Sequence, residues 1–536
     1  MSVLLLTLAL TTSQTQEPAI VPRPQSLEML GGTAFEIKRG TVVLEKTDEP
    51  SVSFLIDLVK KCTGEAPKVV RSAPRDNRTP VITLEQVSDL PTEGYRLFAQ
   101  DRDMVVSYSS DAGLFYAIQT LRQLLPAEIE SERPARGTKW VVPAVRISDA
   151  PRYSWRGMHL DVSRHFFPVS FIKKYIDFIA MNKMNTFHWH LVDDGGWRMQ
   201  VDKYPMLTSV GAWRVDTGKP WSYGDLRFVG KDGADKTYGG FYTKDQIRDI
   251  VAYAAKRHVN IVPEIEMPGH NLAALVSYPE LGCDGVTPFP EAGGSNTDVF
   301  CPGKESTFTF LEDVLTETMD LFPSKYIHIG GDEVGKEHWQ NCASCQARMK
   351  AEGLKDENEL QSYFVRRIEK FLIAHDRKLV GWDEILEGGL APEATVMSWR
   401  GEDGGIAAAQ AGHDVVMSPT SHCYFDYSYA TTSTKHVYGW EPTPQSLTPE
   451  EAKHVLGGQA NVWTEFIPTE QRAEYMVFPR MLATAEDLWT NDDRRDWDSF
   501  SSRMMRQFAR LDAMDVSYQI PAPDVDYTAA VFSDSA

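Results

Sequence analysis

The strongest constraint on the fold of this chain is a regular alternation of short apolar runs and amphipathic segments after Pro151. Eight of these runs have the composition of buried strands, and they read WRGMHLDVS, NTFHWHLVD, VNIVPEIEM, YIHIGGDEV, KLVGWDEIL, TVMSWR, DVVMSP and LGGQANVW. The segments between them carry apolar residues at helical spacing. Eight strand–helix units predict an α/β fold, a (β/α)8 TIM barrel, whose chemistry lies at the carboxyl ends of the strands.

Two of the intervening helices are clearly marked in the sequence. The first runs from Thr243 to His258, where Thr243 and Gln246 can form a capping box. The second runs from Glu357 to His375, with apolar residues recurring at helical spacing. Trp497 to Met514 is predicted to be a helix that closes the barrel domain.

The pattern of apolar and polar residues changes near residue 150. Before it, short alternating runs such as VITLEQV and MVVSYSS precede the helix-like LFYAIQTLRQLL, a pattern typical of a small α+β domain. We therefore expect a signal segment at 1–16, a non-catalytic α+β domain at 17–148, a catalytic barrel with its closing helix at 149–519, and a tail at 520–536.

Charge and hydropathy narrow the possible partners. The formal net charge of -20 repels nucleic acid and anionic membrane surfaces, so neither is an expected partner. Val3 to Leu10 resembles the core of a secretory signal, and this run is too short to span a bilayer. We expect an exported protein, periplasmic, cell-surface or secreted, without an integral membrane span.

The six cysteines are too few for a disulfide scaffold. Cys283 and Cys301 bracket a loop-like GVTPFPEAGGSN segment, and in an exported chain they are the better candidates for a disulfide. Cys342 and Cys345 form a lone CxxC without a second pair nearby, so a zinc site is not expected. The chain is predicted to need no cofactor and no metal.

Acidic and tryptophan side chains dominate the ends of the eight runs. They are Arg156, Asp161, His188, His190, Asp193, Asp194, Glu264, Glu266, His270, Asp332, Glu333, Trp382, Asp383, Glu384, Trp399, Arg400, Tyr424, Asp426, Trp463 and Glu465. Indole faces edged with carboxylates suit a sugar, which has apolar C–H faces and hydroxyl donors. The alternative is that the tryptophans simply fill the top of the barrel.

Asp332 and Glu333 stand out because an apolar, glycine-containing run delivers them into a buried position. Two carboxyl groups held close in a low dielectric cannot both ionise cheaply, so one should stay protonated near neutrality. A neutral acid beside an ionised partner suits glycoside cleavage.

Two rival functions remain open at this point. His188 and His190 point to the same side of a strand, the spacing of a metal-dependent barrel hydrolase, although no HExxH motif accompanies them. A carbohydrate-binding barrel without catalysis is the other rival. His270, which follows a Pro-Gly turn, could equally be a structural histidine.

The segment HIGGDEV, His328 to Val334, resembles family 20 of the glycoside hydrolases, the β-N-acetylhexosaminidases. Further motifs resemble this family in its order: WRGMHLDVSRHF, NTFHWHLVDD, PEIEMPGH, GWDEI, SWR, YFDY and NVWTE. Together they span about residues 150 to 490, and GYRL and FYAIQTLRQLL resemble the family's small non-catalytic domain. The chain departs from many relatives at Gly195, Gly196 and Glu266, which concerns the outer part of the site.

The resemblance implies a retaining, exo-acting enzyme that removes terminal β-linked N-acetylglucosamine or N-acetylgalactosamine from glycans. In it the substrate's acetamido oxygen attacks the anomeric carbon and forms an oxazolinium ion. Carried over by motif, Glu333 would be the general acid and base, Asp332 would hold the acetamido N–H, and Tyr424 would bind the acetamido oxygen. The remaining roles are a sugar platform of Trp382, Trp399 and Trp463, hydroxyl ligands Arg156, Asp426 and Glu465, and support from His270 and Asp193. The preferred sugar and the oligomeric state are left open.

Overall fold

The computed structural model describes residues 17–74, 78–133, 137–233, 237–284 and 299–521. The predicted signal segment at 1–16, and all but the first two residues of the predicted tail at 520–536, lie outside the described residues. The described chain divides into two compact units. One comprises residues 17–20, 24–150 and 498–513, and the other comprises residues 21–23, 151–497 and 514–521.

The first unit is an α+β domain. Its strands are β1 (Ser26–Met29), β2 (Phe35–Ile37), β3 (Val42–Leu44), β4 (Lys68–Val70), β5 (Val81–Gln86), β6 (Tyr95–Gln100), β7 (Asp103–Tyr108), β8 (Trp140–Val142) and β9 (Val145–Asp149). Seven of them form one mixed sheet in the order β1-β9-β6-β7-β5-β3-β4, and β2 pairs with β8. Helices Val52–Thr63 and Asp111–Leu124 accompany the sheet, as the mixed sequence pattern predicted.

The predicted closing helix is present at Trp497–Ala513, but Asp498–Ala513 groups with the first unit and not with the barrel. Within that unit Arg503 Nη1 donates to the carbonyl of Ile20 at 2.8 Å. An amphipathic pattern shows that one face of a helix is buried, but it does not show which core covers that face. The sequence therefore predicted the helix but assigned it to the wrong domain.

The second unit is a closed barrel of eight parallel strands. The barrel strands are β10 (Trp155–Asp161), β11 (Thr186–His190), β16 (Asn260–Glu264), β17 (Tyr326–His328), β18 (Lys378–Trp382), β19 (Thr395–Ser398), β20 (Val415–Met417) and β21 (Val455–Ala460). Seven of them lie within the predicted runs and β21 starts one residue before its run, so the predicted barrel is confirmed. Between β11 and β16 the chain adds two hairpins, β12 (Val192–Asp193) with β13 (Gly196–Trp197) and β14 (Trp213–Val215) with β15 (Thr237–Gly239).

The α-helices of the second unit run between and after these strands. They are Val169–Met181, Met206–Ser209, Lys244–Ala255, Leu272–Ser277, Glu305–Leu321, Glu337–Asn341, Ala343–Glu352, Glu357–Ala374, Asp403–Gln410, Thr420–Cys423, Thr434–Tyr438, Glu470–Val477 and Arg480–Trp489. The predicted capping box is present, since Gln246 N–H donates to Thr243 Oγ1 and Thr243 N–H donates to Gln246 Oε1. Among the described residues, no helix has both the length and the apolarity needed to cross a membrane.

Candidate active site

A cavity of about 460 Å³ lies where the barrel strands end. Eight of the eleven site residues taken from the sequence border it, namely His270, Asp332, Glu333, Trp399, Tyr424, Asp426, Trp463 and Glu465. Its size is within the usual range of small-molecule sites. Most of the residues that the sequence placed at the carboxyl ends of the strands therefore border a single cavity.

The segment after β17 turns sharply to bring Asp332 and Glu333 to this cavity. Gly330 and Gly331 have φ of +70° and +91°, the left-handed region that favours glycine. Glu333 also has positive φ, +45°, so a turn and not an extended backbone carries the two acids. The turn leaves Asp332 8% exposed while the Glu333 side chain is 55% exposed.

Gly330 is also required by close packing. A Cβ atom built at this position would lie 1.6 Å from Oε2 of the buried Glu266. A glutamate at position 266 therefore fills the space that any side chain at position 330 would need.

His270 connects both acids to a second pair of carboxylates. Its Nε2 lies 3.5 Å from Asp332 Oδ2 and 3.4 Å from Glu333 Oε2. Its Nδ1 lies 3.3 Å from Asp194 Oδ2 and 3.6 Å from Asp193 Oδ1. Burial lowers the pKa of His270, but the charges of Asp193 and Asp332 outweigh it and hold this pKa well above its ordinary value. This shift favours the imidazolium form of His270.

The two acids differ in pKa in the order opposite to the one their predicted roles need. Burial raises the pKa of Asp332 to about 6, against the opposing charge of His270. The hydrogen bond from His270 lowers the pKa of Glu333. Asp332 therefore holds its proton more tightly than Glu333 does, whereas the resemblance gives the proton-donor role to Glu333.

The guanidinium in the site belongs to Arg164, which the sequence analysis missed. It is 4% exposed, borders the cavity, and its Nη2 lies 2.9 Å from Asp193 Oδ2 and 3.7 Å from Glu465 Oε1. It also lies over the Trp463 ring, 5.1 Å from the centroid.

Arg156, the predicted hydroxyl ligand, does not border the cavity. It is fully buried and donates to the carbonyls of Lys183 and Tyr153, each at 2.8 Å. Arg156 stands near the amino end of β10 and Arg164 follows its carboxyl end. The carboxyl-end rule alone should have selected Arg164.

Aromatic rings lie in and beside the cavity. Trp382 is 1% exposed and does not border the cavity, but its ring centroid lies 5.9 Å from that of Trp463, and its Nε1 donates to Glu264 Oε1 at 2.9 Å. The Trp399 and Tyr424 rings are stacked with centroids 6.1 Å apart. Trp399 Nε1 donates to Glu384 Oε2 at 2.8 Å, and burial raises the pKa of Glu384 to about 8.

Two buried carboxylate oxygens beside the cavity have no hydrogen-bond partner among the described residues. They are Oδ1 of Asp332 and Oδ1 of Asp426. Burial, with the nearby charge of Glu465, raises the pKa of Asp426 to about 7. Buried acceptors without partners are costly, so both oxygens can receive N–H or O–H donors from a bound molecule.

Aromatic residues outside the barrel strands also border the cavity, and the sequence analysis missed them. Trp221 and Tyr223 lie between β14 and β15, and Tyr223 OH accepts from Arg164 Nη2 at 3.0 Å. Phe466 is 71% exposed at the rim. Residues in an inserted loop have no periodic pattern in the sequence that could mark them. Phe466, however, directly follows the NVWTE run, and its position beside Glu465 was a usable hint.

The histidine pair that suggested a metal-dependent hydrolase does not border the cavity. His188 and His190 both contact Glu264, with His188 Nε2 3.0 Å from Glu264 Oε2, so they lie on the same side of the strand, as predicted. His328 Nδ1 also lies 2.9 Å from this carboxylate. The pair therefore belongs to a buried group around Glu264.

The predicted disulfide between Cys283 and Cys301 is not present in the structure, where both are free thiols. They belong to a buried group of four cysteines with Cys342 and Cys345.

Two family models match the chain over most of its length. "Glycosyl hydrolase family 20, catalytic domain" matches residues 153–492, and "Glycosyl hydrolase family 20, domain 2" matches residues 17–150. A beta-hexosaminidase of Porphyromonas gingivalis is 42% identical over 94% of this chain, which spans 65% of that relative's length. A beta-N-acetylhexosaminidase of Cellulomonas fimi is 33% identical over 91% of this chain and 92% of its own.

Solved structures give the same result. A GH20 exo beta-N-acetylglucosaminidase from Vibrio harveyi, in complex with N-acetylglucosamine, has a TM-score of 0.82 at 30% identity over 94% of this chain and 78% of its own. A mutant Streptomyces plicatus beta-hexosaminidase in complex with its product GlcNAc has a TM-score of 0.78 at 32% identity, covering 94% of this chain and 97% of its own.

Proposed function

The chain belongs to glycosyl hydrolase family 20, and we propose that it is an exo-acting, retaining β-N-acetylhexosaminidase. Its substrates would be glycans that end in β-linked N-acetylglucosamine or N-acetylgalactosamine. Relatives over most of this chain carry the name beta-hexosaminidase, which supports the proposal.

One observation carries it: Asp332 and Glu333 are neighbours that face the cavity in different environments. Asp332 is nearly buried and has an unpartnered oxygen, whereas the Glu333 side chain is half exposed. A buried acceptor suits the N–H of an acetamido group held against the Trp399 and Tyr424 rings. A half-exposed carboxyl group suits proton exchange with a leaving oxygen and with water.

In the first step, Glu333 gives its proton to the glycosidic oxygen while the acetamido oxygen attacks the anomeric carbon. The bond to the leaving group breaks, and a cyclic oxazolinium ion forms. Asp332 would accept the acetamido N–H and balance the positive charge that develops on this ring. Tyr424 would donate its hydroxyl to the acetamido oxygen and orient it for attack.

In the second step, ionised Glu333 removes a proton from water, and this water attacks the anomeric carbon from the side that the leaving group vacated. The bond to the acetamido oxygen breaks and restores the acetamido group. Two inversions at one carbon give net retention.

Glu333 must hold a proton for the first step, yet His270 lowers its pKa. A sugar in the cavity would cover the half-exposed carboxyl group and remove water from it, and this desolvation raises the pKa of a carboxylic acid.

Hydrolysis of three matched 4-nitrophenyl glycosides tests the proposal: the β-N-acetylglucosaminide, the β-N-acetylgalactosaminide and the plain β-glucoside. We expect release of nitrophenol from the amino sugars only. Asp332→Asn and Glu333→Gln should each lose most of kcat/KM, while Glu337→Gln, an exposed nearby acid, should behave as wild type. Sugar binding without turnover, or full activity of either site variant, would contradict the assignment.

A further inference from the structure

Four cysteines meet in the segments that follow two adjacent barrel strands. Cys283 and Cys301 come from the stretch after β16, and Cys342 and Cys345 from the stretch after β17. All four are buried, with exposures of 4%, 0%, 2% and 0%. None of them forms a disulfide.

The four sulfur atoms have the spacing of a tetrahedral thiolate shell. The Sγ–Sγ distances are 3.8 Å for Cys283–Cys345, 3.7 Å for Cys301–Cys342 and 3.4 Å for Cys301–Cys345. All four atoms lie within 4.8 Å of one another. Zinc–sulfur bonds of about 2.3 Å in a tetrahedron place sulfur atoms about 3.8 Å apart, whereas a disulfide needs about 2.05 Å.

We propose that Cys283, Cys301, Cys342 and Cys345 bind one Zn²⁺ as a structural tetrathiolate site. Four soft thiolates without a nitrogen or oxygen ligand favour zinc among the common divalent ions. The closed ligand set leaves no open position for substrate, so the role is structural. The proposal is independent of the glycosidase assignment.

The surroundings suit such a site. Val299, Val334, Trp339, Met349 and Leu360 pack around the cysteines and form an apolar shell. At its edge Asp284 Oδ2 accepts from Ser344 Oγ at 2.8 Å, and Lys304 Nζ lies 3.0 Å from Asp284 Oδ1. The apolar shell keeps water away from the sulfur atoms, and Lys304 at its edge would offset part of the negative charge of a zinc tetrathiolate.

The site would join the two segments that carry His270 and the catalytic acids. Phe300, beside Cys301, donates its N–H to the carbonyl of Pro268 at 2.9 Å, two residues before His270. Val334, beside Glu333, packs in the cysteine cluster. A bound metal would therefore help to hold both sides of the His270–Glu333 contact.

The sequence analysis dismissed zinc because the CxxC lacked a partner pair nearby. The partner pair exists, but Cys301 and Cys342 are 41 residues apart in the chain. The barrel brings them together because the ends of adjacent parallel strands lie side by side. The predicted barrel already implied this proximity, but the cysteines were judged by their spacing in the sequence alone.

The first test measures zinc and thiol state on the purified full-length protein. Elemental analysis should find about one zinc per chain. Denaturation in chelator without reductant, followed by alkylation, should modify all six cysteines. Less than about 0.1 zinc per chain would overturn the proposal, whether the mass then reveals two disulfides or the cysteines are free.

The second test uses variants and a spectroscopic metal. Cys342→Ser and Cys345→Ser should lose zinc to below about 0.1 per chain, while Cys62→Ser, in the first unit, should retain it. Because a ligand variant could fail to fold, the wild-type protein is also stripped and loaded with Co²⁺. Thiolate-to-cobalt charge transfer with intense tetrahedral visible bands is expected. Folded protein without these bands would contradict the site even if glycoside hydrolysis is intact.

Discussion

Arg164 shows how much one residue contributes to this site. Its guanidinium contacts Asp193, Asp161 and Glu465, so it links the first barrel strand to the acids that support His270. Motif matching selected Arg156, eight residues earlier, because both arginines belong to the same resemblance. Position along the strand, and not residue type, separates the two.

Arg164→Ala should reduce kcat/KM by about 30-fold or more, because truncating one partner of a buried charge pair costs about 2–5 kcal/mol. Arg248→Ala, which removes a guanidinium that is 57% exposed on a helix, is the control and should match wild type. Steady-state kinetics on the aryl N-acetylglucosaminide would give kcat/KM for both variants and for wild type. Equal values for the two variants would show that Arg164 does not act in the site.

The raised pKa of Asp332 predicts the acidic limb of the pH profile. Asp332 must be ionised to balance the positive charge of the oxazolinium ring. With a pKa of about 6, its carboxylate is protonated as the pH falls below that value. The kcat/KM should therefore fall about tenfold per pH unit below about pH 6. Residual activity of Asp332→Asn should lack this limb, and Glu337→Gln should keep it. If Asp332→Asn showed the same acidic limb as wild type, another group would be responsible for that limb.

At the scale of elements, the eight barrel strands were predictable because each is a buried run with strand-like composition, and parallel strands covered on both faces need this. The positive φ of Glu333 was not predictable, because glutamate has no preference for the left-handed region. Tertiary contacts impose such a conformation, at a cost of about 1–3 kcal/mol. The inserted Trp221 loop was missed for a related reason, since its place depends on the barrel and not on its own pattern.

Gly330→Ala should destabilise the protein more than Gly353→Ala does. Both glycines have φ near +70°, but a Cβ at 330 would meet Glu266 whereas one at 353 meets nothing within 4 Å. The shared φ strain costs about 1 kcal/mol, and the clash adds to it at 330 only. Thermal unfolding gives the comparison, and kcat/KM should fall for Gly330→Ala alone. Equal Tm values would show that the turn tolerates a side chain.

At the scale of the whole molecule, the net charge of -20 surrounds a cavity that itself contains four carboxylates, Asp332, Glu333, Asp426 and Glu465. The composition predicted that polyanions such as nucleic acid are not partners. The structure adds that the cavity, like the whole chain, has more acidic than basic side chains. Arg164 and His270 are the cations that border the cavity, and carboxylates already pair with both.

Salt should therefore affect charged and neutral substrates differently. The KM for a 6-sulfated aryl N-acetylglucosaminide should fall several-fold between about 10 and 200 mM NaCl, because salt screens the repulsion. The KM for the unsulfated substrate should stay constant. A sulfated substrate that binds better at low salt would indicate a cationic subsite that opposes the overall charge.

The central claim is that the substrate's acetamido oxygen attacks the anomeric carbon while Asp332 and Glu333 assist from one turn. Its most direct test is kcat/KM for aryl glycosides whose acetyl group carries zero, one, two or three fluorines, because each fluorine weakens that oxygen as a nucleophile. We predict a steep decline with each fluorine, at least about 100-fold in total, or some 2.7 kcal/mol of barrier. A flat series, or a trapped glycosyl ester on the protein, would contradict it.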